Sequence, residues 1–347
     1  GPQASLELSD WRVVMNLARR GMHGFLEDYR AGLWRSDNLQ NLFSFALENE
    51  KHTNDYVFGS RFSQAASRLF YLFRLNSIKG SRKNIHAHYD IGNDFYELWL
   101  DPSMTYSAAL FAYENEDLTY AQMNKYDRMI DCLDRDSGAL LEIGCGWGGF
   151  AERALEKGDY EIKGITLSEE QHDYARDRLN GGARIALEDY RHQGGKYDNI
   201  ISIEMFEAVG EKYWPTYFGK LKELLSEKGK AVIQTITIDD NRFHTYRRRG
   251  DVIRSYIFPG GMLPSERRFN EEAAKAGLKT GNTLHFGEGY AKTLELWQNN
   301  FHRNANAIQK LGFDDGFMRV WDFYLSACIA GFRTGRTSVM QTEVSHV

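Results

Sequence analysis

Apolar and polar positions alternate in two different ways along the chain. Up to about Asn76 the apolar residues have mostly helical spacing, and a further helical stretch runs from Leu118 to Leu133. From there to about residue 238, short apolar runs alternate with amphipathic helical segments. Buried strands separated by helices are typical of a parallel sheet with helices on both faces. The pattern therefore predicts the α/β fold class.

The alternating region predicts five strands and three helices. The strands cover residues 139–144, 161–167, 183–189, 197–206 and 228–238, and the helices cover 147–157, 168–180 and 213–226. Ser168 is expected to cap the second of these helices, because a serine hydroxyl accepts a hydrogen bond from a free amide at a helix start. Farther along, the pattern predicts another helix, one strand and aromatic-rich helices to about Arg333.

Two segments interrupt the regular pattern and carry positive charge. Residues 239–264 form an excursion that is either a solvated face or a site for phosphate headgroups. Its candidate headgroup ligands are Arg247, Arg248, Arg249 and Arg254. The stretch from Ser63 to Lys83 combines apolar and basic residues. It predicts either a core helix with a solvated end or a helix at a membrane surface.

Composition and charge narrow the functional classes. The 347 residues suffice for one large domain or two modest ones, and the net charge of −5 provides no overall basic field for a nucleic acid. The histidines are scattered and the cysteines form no CxxC pair, so we expect no metal site and reduced thiols in a cytoplasmic protein. No apolar run approaches the length that spans a bilayer.

A glycine-rich loop follows the first predicted strand, in LLEIGCGWGGF over residues 140–150. At such a position Gly144 and Gly146 allow the backbone to approach a ligand beyond the carboxyl end of the strand. The spacing is G-x-G-x-G-G instead of the dinucleotide pattern G-x-G-x-x-G, and Glu142 would repel a pyrophosphate. A cationic ligand without phosphate fits better, which favours S-adenosylmethionine over NAD.

The ends of the following strands supply further candidate ligands. Thr166, Leu167 and Ser168 lie at the second strand tip, where the hydroxyl groups of a ribose would lie. Asp189 is a candidate acceptor for an adenine amino group and Tyr190 for stacking, although both also suit an ordinary surface loop. Together with the glycine loop, these residues support the S-adenosylmethionine interpretation.

Several segments occur in the order that is typical of one enzyme family. They are NIHAHYDIGNDFYELWLDPSMTYSAALF, LLEIGCGWGGFAERA, GITLSEEQ, IEMFEAVGEKYWPTYF, YIFPGGMLPS and FYLSACIAGFRTGRTSVMQ. From about residue 81 to 342 the chain thereby resembles the cyclopropane-fatty-acyl-phospholipid and mycolic acid cyclopropane synthases. The resemblance implies a Rossmann-like class I methyltransferase fold over 81–347, with a mostly parallel seven-stranded sheet. It also implies a small helical, lipid-interacting domain over 1–80.

The resemblance implies a reaction as well. In this family the cis double bond of a phospholipid acyl chain takes the methyl group of S-adenosylmethionine, which leaves a carbocation on the chain. A base then removes a proton from the new methyl group to close a cyclopropane ring, and family members hold a bicarbonate ion for that step. Positioning and exclusion of water are expected to matter, because an alkene is a weak nucleophile and water traps a carbocation.

Site residues follow from the motif positions that match the family. The resemblance implies cofactor contacts for Tyr106, Ser107, Gly144, Gly146, Trp147, Thr166, Ser168 and Gln171. It implies an ion site at Glu207, Tyr290 and the backbone of Ile236. Three positions depart from the family pattern around that ion. Ala108 stands where a cysteine is common, and Ala208 and Gln234 stand where histidines are common.

These departures leave two questions open. Either the pocket still binds bicarbonate, through Gln234 and backbone amides, or Glu207 itself is the base. The product is open too, because a carbocation that shifts or loses a neighbouring proton gives a methyl- or methylene-branched chain, including a precursor of furan fatty acids.

Partners and location also follow from the resemblance. It implies an unsaturated membrane phospholipid as substrate, a homodimer, and a cytoplasmic enzyme that is peripherally associated with the inner face of the membrane. The alternatives are an inactive relative that only binds lipid or S-adenosylmethionine, and a methyltransferase for soluble small molecules. Retention of Glu207 and Tyr290 argues against the first, and the basic excursion argues against the second.

Overall fold

The first 50 residues form three helices and a short two-stranded ribbon in the computed structural model, which describes residues 1–50, 80, 91–248 and 252–347. The elements are β1 (Glu7–Leu8), α1 (Arg12–Arg20), α2 (Met22–Arg30), β2 (Trp34–Arg35) and α3 (Leu39–Glu48). The predicted helical character of this region is confirmed, whereas the antiparallel pairing of β1 with β2 was not predicted. The stretch predicted as an amphipathic helix, Ser63 to Lys83, lies outside the described residues apart from Gly80.

A sheet of seven strands within the described ranges forms the centre of the molecule. Its strands are β3 (Ser137–Ile143), β4 (Asp159–Thr166), β5 (Arg184–Leu187), β6 (Tyr197–Ile203), β7 (Leu225–Ile238), β8 (Leu278–His285) and β9 (Thr337–His346). They lie in the order β5-β4-β3-β6-β7-β9-β8. Strands β3 to β7 pair in parallel, and β9 runs antiparallel to both β7 and β8. The predicted mostly parallel sheet is confirmed, but β9 was not predicted as a strand.

Helices cover both faces of this sheet. They are α4 (Asn93–Glu97), α5 (Leu118–Asp131), α6 (Gly149–Lys157), α7 (Glu169–Leu179), α8 (Trp214–Leu224), α9 (Asp240–Tyr246), α10 (Val252–Tyr256), α11 (Glu266–Lys275), α12 (Gly287–Arg303), α13 (Ala305–Lys310) and α14 (Asp315–Arg333). Successive residues of β3 show why its sequence is continuously apolar. Leu141 packs into one hydrophobic cluster and Leu140 into another, on opposite sides of the sheet.

The N-terminal helices share a hydrophobic cluster with the C-terminal helix α14. Its members include Val13, Phe25, Trp34 and Phe43 from the first 50 residues, together with Phe323 of α14. The Trp34 ring also donates a hydrogen bond to the Phe25 carbonyl at 2.8 Å. Because this packing joins the two parts of the chain, the boundary at residue 80 stays a prediction.

Two features are absent from residues 1–50, 80, 91–248 and 252–347, a membrane-spanning helix and a metal-binding group of side chains. Within those ranges no helix is both long and apolar enough to cross a bilayer. The described residues also contain no group of at least three His, Cys, Asp or Glu side chains that could hold a metal ion.

Candidate active site

A cavity opens at the carboxyl ends of β3, β4, β5 and β6, where a doubly wound sheet binds its ligand. It brings together eleven of the residues predicted to contact the cofactor: Tyr106, Ser107, Glu142, Gly144, Gly146, Trp147, Thr166, Leu167, Gln171, Asp189 and Tyr190. Ser168 does not line it. Its hydroxyl instead accepts a hydrogen bond from the Gln171 amide at the start of α7, the capping role that was predicted.

The glycine loop between β3 and α6 forms the floor of the cavity. The amides of Gly144 and Cys145 both donate to the Ile165 carbonyl, at 2.9 and 3.0 Å, which ties the loop to β4. Gly144 has a φ of 84°, and a Cβ there would approach Met205 Cγ to 3.0 Å. Glycine is therefore required at this turn, and the bare backbone faces the cavity.

Glu142 is a buried carboxylate with an oxygen that has no partner. The residue is 2% exposed, and among the described residues its Oε2 accepts no hydrogen bond. Burial raises its pKa well above the ordinary value, while the charge of Lys125 opposes that rise. A buried acceptor without a donor is costly, so this oxygen suits a cationic ligand. The observation fits the ammonium or sulfonium group of S-adenosylmethionine.

At the end of the cavity where adenine is expected, a salt bridge within the chain involves Asp189. Asp189 accepts two hydrogen bonds from the Arg191 guanidinium, from Nε at 2.8 Å and from Nη2 at 2.5 Å. The Tyr190 ring is buried and lines the cavity beside them. The paired carboxylate still has lone pairs for an amino group, so its predicted role stays a prediction.

The predicted catalytic residues converge on a residue that the sequence analysis did not select, Glu204. Its Oε1 accepts hydrogen bonds from the Ala108 amide at 2.8 Å and from Gln234 Nε2 at 2.7 Å. Its Oε2 accepts one from the Tyr290 hydroxyl at 2.8 Å. Glu204 follows β6 with a φ of 49° and lines the cavity. In the sequence this acid stands inside the apolar run predicted as a strand over 197–206, whereas the strand ends at Ile203, one residue before it.

Glu207 lies in the same pocket with different partners. The Ile236 amide donates to its Oε1, while Oε2 has no partner among the described residues. Burial, and then the neighbouring Glu204 charge, raises the pKa of Glu207 to about 8. Two carboxylates in one pocket resist double ionisation. Glu204 has donors on both oxygens, whereas Oε2 of Glu207 has none among the described residues, so we assign the negative charge to Glu204 and the proton to Glu207.

This arrangement does not fit an added bicarbonate ion. Of the donors expected to hold it, Gln234 and Tyr290 already bind the Glu204 carboxylate, as the Ala108 amide does, and the Ile236 amide binds Glu207. A second anion there would face the Glu204 carboxylate directly. The prediction of bicarbonate is therefore replaced by a carboxylate that belongs to the chain.

A buried lysine beside the pocket was also missed in the sequence. Lys125 on α5 is 0% exposed, and its ammonium donates to Ser107 Oγ and Gln122 Oε1, each at 2.7 Å. Burial lowers the pKa of Lys125 to about 7, against the charges of Glu204, Asp101 and Glu142. Helical spacing alone does not distinguish it from a solvated lysine.

The predicted headgroup arginines lie in different surroundings. Arg247 pairs with Glu211 at 2.8 Å, and Arg248 is exposed. Arg254 is 5% exposed, and its Nε donates to the Gly261 carbonyl at 2.7 Å, so it stabilises the turn after α10. Arg249 lies outside the described residues.

Comparison with known proteins agrees with this geometry. The family model for mycolic acid cyclopropane synthetase matches residues 76–342. The chain belongs to this family. It is therefore an S-adenosylmethionine-dependent methyltransferase of the cyclopropane synthase type.

Individual relatives extend over most of the chain. The tuberculostearic acid methyltransferase UfaA1 of Mycobacterium tuberculosis is 35% identical over an alignment of 354 positions, which covers 95% of this chain and 80% of that protein. The cyclopropane-fatty-acyl-phospholipid synthase of Escherichia coli is 32% identical over an alignment of 348 positions, which covers 99% of this chain and 88% of that protein. The structure of mycolic acid cyclopropane synthase CmaA1 with SAH and CTAB superposes with a TM-score of 0.72 at 32% identity, covering 76% of this chain and 97% of that one.

Proposed function

We propose that this enzyme adds a one-carbon unit to the cis double bond of an unsaturated acyl chain in a membrane phospholipid, with Glu204 as the base. The observation that carries the proposal is the Glu204 carboxylate, held by three donors beside the cofactor cavity. The names of the relatives, which include fatty acyl and mycolic acid enzymes, support the acyl chain as the substrate.

The cofactor side of the cavity supplies binding and orientation. S-adenosylmethionine, when bound, supplies an electrophilic methyl group. Glu142 offers its unpartnered oxygen to the positive charge of the ligand, and the glycine loop allows close approach of the backbone. Trp147, whose ring nitrogen donates to Asn93 Oδ1 at 2.6 Å, is held as part of the wall. Alignment of this kind matters because the double bond is a poor nucleophile.

Glu204 is suited to take a proton from the product of methyl transfer. Burial raises its pKa, whereas the Ala108 amide, Gln234 and Tyr290 oppose that rise and hold both oxygens in place. A general base works best when its pKa is near the working pH and its position is preorganised. Tyr290 remains a donor, since burial and the Glu204 charge raise its own pKa well above the ordinary value.

Aromatic rings next to this pocket are suited to stabilise a short-lived carbocation. The Tyr290 ring lies 4.5 Å from Phe332 and 6.1 Å from Trp297, and Tyr106 lies 5.3 Å from Trp297, measured between ring centres. Aromatic faces stabilise a cation, and their apolar surface excludes water that would trap it.

The proposed reaction consists of methyl transfer followed by proton removal. The π electrons of the double bond form a C–C bond to the methyl carbon, the C–S bond breaks, and the other alkene carbon becomes positive. Glu204 then removes a proton from the transferred methyl group. The released electron pair closes a ring or, after a hydride shift along the chain, forms a methylene branch. Both products keep two of the three hydrogens of the methyl group.

Delivery of the acyl chain from a membrane surface belongs to the same proposal. Arg248, and Arg247 if released from Glu211, would meet phosphate headgroups on the excursion. A cytoplasmic enzyme bound to the inner face of the membrane, and a homodimer, stay predictions from the family resemblance.

The test is product analysis with S-adenosylmethionine that carries a trideuterated methyl group. The enzyme is incubated with vesicles of a cis-unsaturated phosphatidylglycerol, and the fatty acids are identified by mass spectrometry. We expect two retained deuteriums, and ozonolysis then separates a methylene double bond, which is cleaved, from a ring, which survives. Three retained deuteriums would contradict the role of Glu204 at the methyl group. Absence of any labelled acyl chain, with methylation of soluble amines instead, would contradict the substrate class.

A further inference from the structure

Two buried glutamines connect the proposed base to a neighbouring strand. Gln234 on β7 and Gln341 on β9 face each other across the sheet, and both are 0% exposed. Gln341 Nε2 donates to Gln234 Oε1 at 2.8 Å, and Gln234 Nε2 donates to Glu204 Oε1 at 2.7 Å. The two amides therefore point in the same direction, with each NH2 group toward Glu204.

An arginine at the far end sets this direction. Arg128 on α5 donates from Nη1 to Gln341 Oε1 at 2.8 Å, and from Nη2 to the Asn282 carbonyl at 3.3 Å. A guanidinium has donors only, so Gln341 can meet it only with its oxygen. The Gln341 nitrogen must then face Gln234, and the Gln234 nitrogen must face Glu204.

Weaker contacts agree with the same orientation. Gln341 Nε2 also lies 3.4 Å from the Lys125 carbonyl, and Gln234 Nε2 lies 3.4 Å from the Ala108 carbonyl. Both are acceptors next to an amide nitrogen. A flipped amide would instead place oxygen against oxygen at each contact, in a buried site where an unpaired polar group is costly.

From this chain of hydrogen bonds we propose that Gln341 and Arg128 are positioning residues, which form a polarised relay that turns the Gln234 amide toward Glu204 and keeps that carboxylate ionised. The proposal rests on the function proposed above, in which Glu204 is the base. Hydrogen bonds to a charged acceptor are the stronger ones, and a chain of them is mutually reinforcing. Arg128 thus acts on the carboxylate through two intervening side chains.

Other ionisable groups act on Glu204 and stay unchanged in the test. Glu207 and Tyr290 share the pocket, and Lys125 acts from α5. Lys125 is also under the charges of Glu142 and Asp101. Gln341→Met leaves all of these charges in place and adds none, so a shift in its pH profile would report on the relay.

The experiment compares Gln341→Glu with Gln341→Met. The introduced carboxylate can still accept a hydrogen bond from Arg128, but it cannot donate one to Gln234. The Gln234 amide would then turn its nitrogen toward the new carboxylate and its oxygen toward Glu204. We expect the acidic limb of the kcat/KM profile to move up by roughly one pH unit or more, so that the rate falls about tenfold at pH values on that limb. Gln341→Met should shift the limb in the same direction by less. The affinity for S-adenosylhomocysteine should not change in either variant.

A matched control lies at the next position of β9. Thr342 is 1% exposed, and its hydroxyl bonds Thr283 and the Gly281 carbonyl, away from the relay. Thr342→Val removes a buried polar group from the same strand and should leave the pH profile in place. An unshifted acidic limb in Gln341→Met, with normal S-adenosylhomocysteine affinity, would overturn the proposal. If neither Gln341 variant folds, Arg128→Met is measured instead, at the half-buried end of the hydrogen-bond chain. An unshifted acidic limb in Arg128→Met would equally overturn the proposal.

Glu204→Gln separates this inference from the proposed function. If Glu204→Gln keeps its rate, Glu204 is not the base, and both the proposed function and the relay are wrong. If Glu204→Gln is inactive while the Gln341 and Arg128 variants keep a normal pH profile, only the relay is wrong.

Discussion

Two carboxylates at the ends of adjacent strands have opposite surroundings: Glu142 on β3, which is 2% exposed, and Glu204 after β6, which is half-buried. Glu142 has an oxygen without a partner among the described residues, whereas Glu204 has donors on both oxygens. An unsatisfied acceptor is completed by a ligand, and a satisfied one is held in place for a reaction. Under the proposed function, cofactor binding and proton removal are divided between neighbouring strands of one sheet.

The largest expected effect, on the catalytic side of this comparison, comes from Glu204→Gln. We expect the rate of acyl modification to fall by roughly 10³-fold, because an amide cannot take a proton. The affinity for S-adenosylhomocysteine, measured by calorimetry, should stay near that of the wild type. Glu207→Gln is the matched control and should cost less. A reversed ranking of these two variants would move the base to Glu207.

Glu142→Gln should have the complementary effect. A charged hydrogen bond to the ligand is worth about 1.5–3 kcal/mol, so the affinity for S-adenosylmethionine should fall about 10- to 100-fold. The free energy of unfolding should not fall, since a buried and partly unpaired charge is removed. Glu161→Gln, an exposed position on β4, is the control. An unchanged affinity in Glu142→Gln would remove Glu142 from the cofactor site.

The protonation of Glu207 can be tested through stability. Its pKa is about 8 in the folded protein, above the ordinary value of 4.5, so the folded chain holds this proton more tightly than the unfolded chain does. The resulting stabilisation is present below pH 4.5 and is lost as the pH rises toward 8, with a slope of at most about 1.4 kcal/mol per pH unit. Urea unfolding at pH 5, 6.5 and 8 should therefore show a shallower decline for Glu207→Gln. Parallel curves for the two proteins would mean that Glu207 is ionised.

The smallest effect is expected far from both carboxylates. Arg248→Gln should weaken co-sedimentation with anionic vesicles about fivefold at low salt, since one cation near a charged surface contributes about 1 kcal/mol. Lys310→Gln, at an exposed position on α13, serves as the control. Equal vesicle binding by both variants at every salt concentration would argue against the excursion as a headgroup site.

Local patterns in the sequence predicted most of the fold. Continuous apolar runs such as the one that contains Leu140 and Leu141 indicate strands that are buried on both faces, and these strands were confirmed. Ser168 marked the start of α7 through its own chemistry. Strand β9 was missed because TSVMQTEVSH mixes polar residues into its buried positions, among them Gln341 and Thr342. Those polar residues bond across the sheet, which no local pattern shows.

By itself, the sequence determined the α/β class and the glycine loop, because each depends on residues that are adjacent in the chain. Only the tertiary structure decided the surroundings of Glu204. The groups that hold Glu204 come from Ala108, Gln234 and Tyr290, which are far apart in sequence and meet only when β7, α12 and the segment between α4 and α5 come together at the end of β6. Whether an acid after a strand is a solvated turn residue or a held base depends on donors that folding brings to it.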